Sequence, residues 1–82
     1  MPASKAISPS IKFKRADFEA LAAARGVRND AERARFLGVD PSNYHRISRG
    51  KTKPSEHFVA AVLTAFAEDG GVTFETVFEV SR

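Results

Sequence analysis

The chain has 82 residues, a length that accommodates one domain and lies near the lower limit at which a single apolar core folds unaided. Its 43% hydrophobic content, with seven Phe and five Gly, supplies such a core and excludes a disordered composition. Cysteine is absent, which excludes disulfides, thiolate metal sites and a cysteine nucleophile, and fits the reducing cytoplasm in which we expect the protein.

The formal net charge of +3 conceals a division along the chain. Residues 1–55 carry twelve Lys or Arg against five acids, whereas residues 56–82 carry only Arg82 against Glu56, Glu68, Asp69, Glu75 and Glu79. Such asymmetry points to a surface that meets a polyanion, although composition alone fits a mixed solvated surface equally well. No apolar run approaches the roughly 18 residues that span a bilayer, so no membrane partner is expected. His45 and His57 lie far apart with no carboxylates arranged to complete a ligand set, so neither a metal nor another cofactor is expected. The chain has no Gly-rich phosphate loop and no nucleophile with a plausible base; we expect no enzyme and no small-molecule ligand.

The opening ten residues, MPASKAISPS, are small, polar and broken by Pro2 and Pro9. They read as a flexible basic arm ahead of a domain over 11–80, either inert or ordered along a polyanion. Ile11 and Phe13 alternate and are expected to fold onto the core. From Arg15, the spacing of Phe18, Leu21, Ala22 and Arg25 predicts a first helix, closed by Gly26. Asn29 or Asp30 caps a second, with Ala31, Ala34 and Leu37 on one side and Arg33 and Arg35 reaching outward or snorkelling, ending at Gly38.

Asp40-Pro41 opens a third helix: a capping carboxylate precedes proline at the first helical position, where its missing N–H costs nothing. This helix runs over about 41–49, turns Tyr44 and Ile47 inward and stops at Gly50. Ser55 caps a longer amphipathic helix with Phe58, Val59, Val62, Leu63 and Phe66 on its apolar stripe, ended by Gly70-Gly71. Thr73–Phe78 reads as a last short helix, its Val and Thr content leaving a strand as the alternative.

Asp30–Gly50 thus packs helix, tight turn and helix into twenty-one residues. Ala34 is small where two such helices cross, Gly38 tolerates positive φ in the turn, and Leu37, Val39, Tyr44 and Ile47 anchor the second helix. In these residues, and most specifically in ARFLGVDPSNYHRISRGKTKPS over 34–55, the sequence resembles the helix-turn-helix family of lambda repressor and Cro, the Xre-like family. Arg33 departs from the pattern, where the family places an apolar residue, and Tyr44 is larger than the usual aliphatic side chain. The resemblance covers 14–78 and implies an all-α, compact five-helix bundle. It implies a transcriptional regulator, a repressor of phage or bacterial type, that binds an operator in double-stranded DNA.

With Tyr44 and Ile47 buried, Ser42, Asn43, His45, Arg46 and Arg49 remain free to read bases. In the major groove arginine pairs bidentately with guanine and asparagine with adenine, which puts Arg46 first and Ser42 next. Arg49 reads a base, grips a phosphate or satisfies the last helix carbonyls. Lys51, Thr52 and Lys53 lie where the resemblance puts phosphate contacts, and the helix starts at Asn29 and Ser55 offer free backbone N–H groups to an anion. His45 as a spectator and the seven Phe as core are the plainer readings of those residues. One reading helix covers few base pairs, so a homodimer is expected, with Phe74–Val80 as its candidate surface. The alternative is an antitoxin or adaptor that uses the fold mainly for protein contacts; the basic cluster beside the third helix has no purpose in a pure adaptor.

Overall fold

In the computed structural model, which describes residues 9–81, the first and last described segments meet. Ser10–Phe13 form strand β1 and Phe78–Ser81 form strand β2, antiparallel, with Ser10 opposite Ser81 and Phe13 opposite Phe78. Between them run α1 (Arg15–Ala24), α2 (Asp30–Leu37), α3 (Pro41–Ser48), α4 (Glu56–Ala65), a 3-10 turn (Ala67–Asp69) and α5 (Phe74–Val77). This corrects the expected all-α five-helix bundle: the described residues form a mixed α/β domain whose helices are closed by a two-stranded sheet.

The correction has a physical cause. After the four residues of α5 the backbone turns extended at Phe78, φ −137° and ψ 162°, so its polar groups need partners outside a helix. β1 supplies them. On β1 the half-buried Ile11 and Phe13 flank an exposed Lys12, the period-two pattern of a strand with one face on a core, while on β2 Phe78 is buried and Glu79 and Val80 are exposed. The Lys14 amide donates to the Val77 carbonyl at 2.8 Å and Lys14 Nζ to the Glu75 carbonyl at 2.9 Å, tying the start of α1 to α5. Of the arm expected over 1–10, residues 1–8 lie outside the described residues, and Ser10 already belongs to β1.

Aromatic rings carry the core. Phe13 meets Phe18, Phe58 and Phe78 with centroids 5.4, 5.1 and 5.6 Å apart, spacings at which tilted and edge-on rings attract. Phe18 and Phe58 in turn flank Tyr44 at 6.2 and 6.3 Å, so the cluster runs from the sheet to the back of α3. α4 stops at Ala65 instead of reaching Gly70-Gly71, because Phe66 leaves helical geometry to bury its ring against Phe18 and Phe36.

The turn between α2 and α3 is built as its residues require. Gly38 ends α2 at φ +73°, and the Val39 amide returns to the Ala34 carbonyl at 3.0 Å. Ala34 is fully buried at the crossing. A Cβ on Gly38 would meet nothing within 4 Å, so only the left-handed backbone penalises a side chain there. Gly38→Ala is expected to cost about 1–2 kcal/mol in urea unfolding, the size of that backbone term; a loss above roughly 3 kcal/mol would mean that the turn packs more tightly than its geometry indicates.

Candidate nucleic-acid interface

The start of α3 is locally determined. Asp40 is extended, and its carboxylate accepts from the amides of Ser42 at 3.0 Å and Asn43 at 3.2 Å, with Pro41 at the first helical position. Tyr44 is fully buried and Ile47 nearly so. With those two inward, Ser42, His45, Arg46 and Arg49 fall at i, i+3, i+4 and i+7, one outward stripe, and all four are exposed. Asn43 lies on the flank of that stripe and is half-buried, which separates it from the other expected base-reading residues.

The basic loop is held against the end of this helix. Amides of Lys51 and Thr52 both donate to the Arg46 carbonyl, at 2.9 and 3.3 Å, so Lys51, Thr52 and Lys53 leave α3 in a fixed direction and are exposed. The side chains of Arg46, Lys51 and Lys53 have no ion-pair partner among the described residues. Ser55 is exposed, its hydroxyl accepting from the Phe58 amide at 3.1 Å. Asn29 accepts from the Glu32 amide at 2.9 Å, and Glu32 from the Arg28 amide at 2.9 Å. The first turn of α2 therefore carries two carboxylates, Asp30 and Glu32, which compete with any phosphate approaching Asn29.

Arg49 does not cap the helix carbonyls with its side chain. Its Nη2 lies 3.7 Å from Asp30 Oδ2, bringing the beginning of α2 beside the end of α3. Asp30 Oδ1 accepts from Arg33 Nη1 at 2.8 Å; Arg33 Nη1 is 3.7 Å from Glu19 Oε2, and Glu19 Oε2 is 3.6 Å from Arg15 Nε. Charges thus alternate in a ladder, Arg15–Glu19–Arg33–Asp30–Arg49, across α1, α2 and the end of α3. The spacing of Asp30 and Arg33 is a helical i, i+3 pair visible in the sequence; the links of Arg33 to Glu19 and of Asp30 to Arg49 join separate elements and have no local signal.

Beneath this ladder sits Tyr44. Its hydroxyl and Arg33 Nε are buried with no hydrogen-bond partner among the described residues. Burial pushes the phenol up to about 12, with the Asp30 and Glu19 carboxylates adding to the effect and Arg33 and Arg15 opposing it.

A cleft of about 450 Å³ opens between β1 and the α3–α4 loop, its lining including the apolar Ile11, Ile47 and Pro54 and the cationic Lys12, Arg49 and Lys53. Among the described residues no group of three His, Asp or Glu side chains could hold a metal ion, and no helix is long and apolar enough to cross a membrane. No protein-family model matches the chain, and neither a curated protein nor a solved structure matches it. The residues themselves carry the functional reading.

The sequence has one tyrosine and no tryptophan, so tyrosinate absorbance reports Tyr44 alone. Because the folded state holds the phenol protonated up to about 12 against an ordinary value of 10.0, the stability it confers is complete below pH 10 and is lost as pH rises towards 12. Tyr44→Phe is expected to lack this component of the alkaline loss, about 2–3 kcal/mol. Titration of folded Tyr44 at its ordinary value would contradict the burial.

Proposed function

We propose that the protein is a sequence-specific double-stranded-DNA-binding transcriptional regulator, a repressor, that inserts α3 into the major groove. The observation that carries this reading is the outward stripe of Ser42, His45, Arg46 and Arg49 on a capped helix pinned from behind, with the exposed Lys51 and Lys53 directly beyond it. An α-helix fits that groove, and an unpaired arginine on its outer face supplies the fork that guanine O6 and N7 accept. Arg46 takes the leading base-reading role, Ser42 and His45 sit beside it, and Asn43 reaches bases only from the flank. Lys51, Thr52 and Lys53 take backbone phosphates, joined by Ser55 at the start of α4. The resemblance of residues 34–55 to the lambda repressor and Cro family supports the same docking.

The protein acts as a homodimer in this reading, because one short helix covers too few base pairs and two-fold pairing sets two of them roughly 34–36 Å apart, one turn of DNA. The acidic end of the chain, with Val80 exposed to 53%, is the candidate pairing surface. Acids there keep that end away from phosphates.

Selection of bound sites from a random duplex pool tests the reading: enriched half-sites with two-fold symmetry and about one turn of separation are expected, and no enrichment would remove it. On the selected site Arg46→Ala should lose about 1–3 kcal/mol of binding and relax preference at one base pair. Lys53→Ala should weaken selected and scrambled duplexes alike and lower the salt slope by about one. Equal affinity of Arg46→Ala and the wild type for the selected site would take Arg46 out of the reading role.

A further inference from the structure

We infer that Asp30 is a positioning residue for Arg49, which sets where a backbone phosphate is accepted at the junction of α2 and α3; the inference rests on the DNA-binding reading above. Asp30 is the member of the charge ladder that joins Arg33 to Arg49. One carboxylate oxygen is committed to Arg33 at 2.8 Å, and Arg33 is itself held by the Arg28 carbonyl at 3.1 Å and by Glu19 at 3.7 Å. The Arg33 side chain is only 14% exposed, so the carboxylate is fixed from behind and its second oxygen is left towards Arg49. Arg49 is 47% exposed, so its guanidinium is oriented without being enclosed.

This geometry changes the role of the α2 start. Its amides would attract a phosphate, but Asp30 already supplies the negative charge that the helix dipole favours there, and Glu32 adds a second. A phosphate approaching the junction meets repulsion except where Arg49 offsets it. Arginine is long and rotamer-rich, and ordering it on docking is costly in entropy; a contact that confines it beforehand reduces that cost for one phosphate position. Duplexes that set a phosphate elsewhere meet the carboxylates without the arginine. Asp30 thereby opposes loose, sequence-independent docking more than it opposes docking in register.

The experiment measures affinity for the selected duplex and for a scrambled duplex of equal length over a salt series, each value corrected for the folded fraction by circular dichroism. Asp30→Asn is expected to bind the scrambled duplex more tightly, with a salt slope steeper by about one, and to lower the selected-to-scrambled ratio by about two- to fivefold, the scale of an exposed pair. Asp30→Glu restores the ratio. In an Arg49→Ala background, Asp30→Asn leaves the ratio where Arg49→Ala alone put it, because the partner is gone. Arg49→Lys, which leaves the Asp30–Arg33 pair intact, keeps the salt slope but lowers the ratio, since an ammonium lacks the fork. An unchanged ratio in both Asp30→Asn and Arg49→Lys overturns the inference, as does an equal drop for Asp30→Asn with and without Arg49, which would make Asp30 a bare charge. A wild-type protein without salt-dependent duplex binding removes the DNA reading itself, and this inference with it.

Discussion

Burial of Tyr44 and Ile47 behind α3 decides which side chains of that helix face outward. Eight residues are far below the length at which a helix persists alone in water, so α3 exists because it is docked. Burying two such side chains contributes about 1.5–3 kcal/mol each, whereas the Asp40 cap contributes about 1 kcal/mol. The dock outweighs the cap. It also connects the outer face to the far end of the molecule, since Tyr44 lies against Phe18 and Phe58, and both rings meet Phe13 on β1.

Tyrosine at the centre of this dock brings a cost as well as a large ring. Its hydroxyl is buried without a partner among the described residues, and so is Arg33 Nε, each a desolvated polar atom that a purely apolar pair would avoid. Around them the ladder of Arg15, Glu19, Arg33, Asp30 and Arg49 supplies compensating charge. Its members are unequal: the Arg33–Asp30 contact is short and one partner is mostly shielded, while the links of Arg15 to Glu19 and of Asp30 to Arg49 are long and solvated and contribute little to stability. What the outer links provide is direction. Arg33, placed where the resembled family has an apolar residue, lays its stem over the core and joins α1 to α2 with its head.

The features legible in the sequence are those whose cause is local. Asn29, Asp40-Pro41 and Ser55 each cap the helix that follows within three residues, and Gly38 adopts the left-handed backbone the turn demands. The outward stripe of α3 follows from the inward positions of Tyr44 and Ile47, and only the flank position of Asn43 needed coordinates to separate it from its neighbours. Long-range pairings were not legible. β1 and β2 come from opposite ends of the chain, so the alternation of Ile11 and Phe13 has no visible partner, and the extended stretch after Val77 looks like a continued helix until that partner is found. The overlong reading of α4 has a similar origin: glycines at 70–71 mark a stop, but the ring of Phe66 ends the helix earlier by turning into the core.

The closing sheet bears on the proposed DNA face through connectivity. Ser10 and Lys12 line the same cleft as Arg49 and Lys53, so pairing β1 to β2 sets the amino-terminal strand against the basic end of α3. An all-helical closure would have no reason to bring these segments together. Directly opposite Lys12 in the ladder stands Glu79, also exposed, so β1 carries a cation while β2 brings an acid. The two-stranded sheet is therefore the seam at which the cationic and acidic parts of the chain meet, and its register, fixed by Phe13 and Phe78 in the aromatic core, determines how close the acidic strand comes to the basic end of α3.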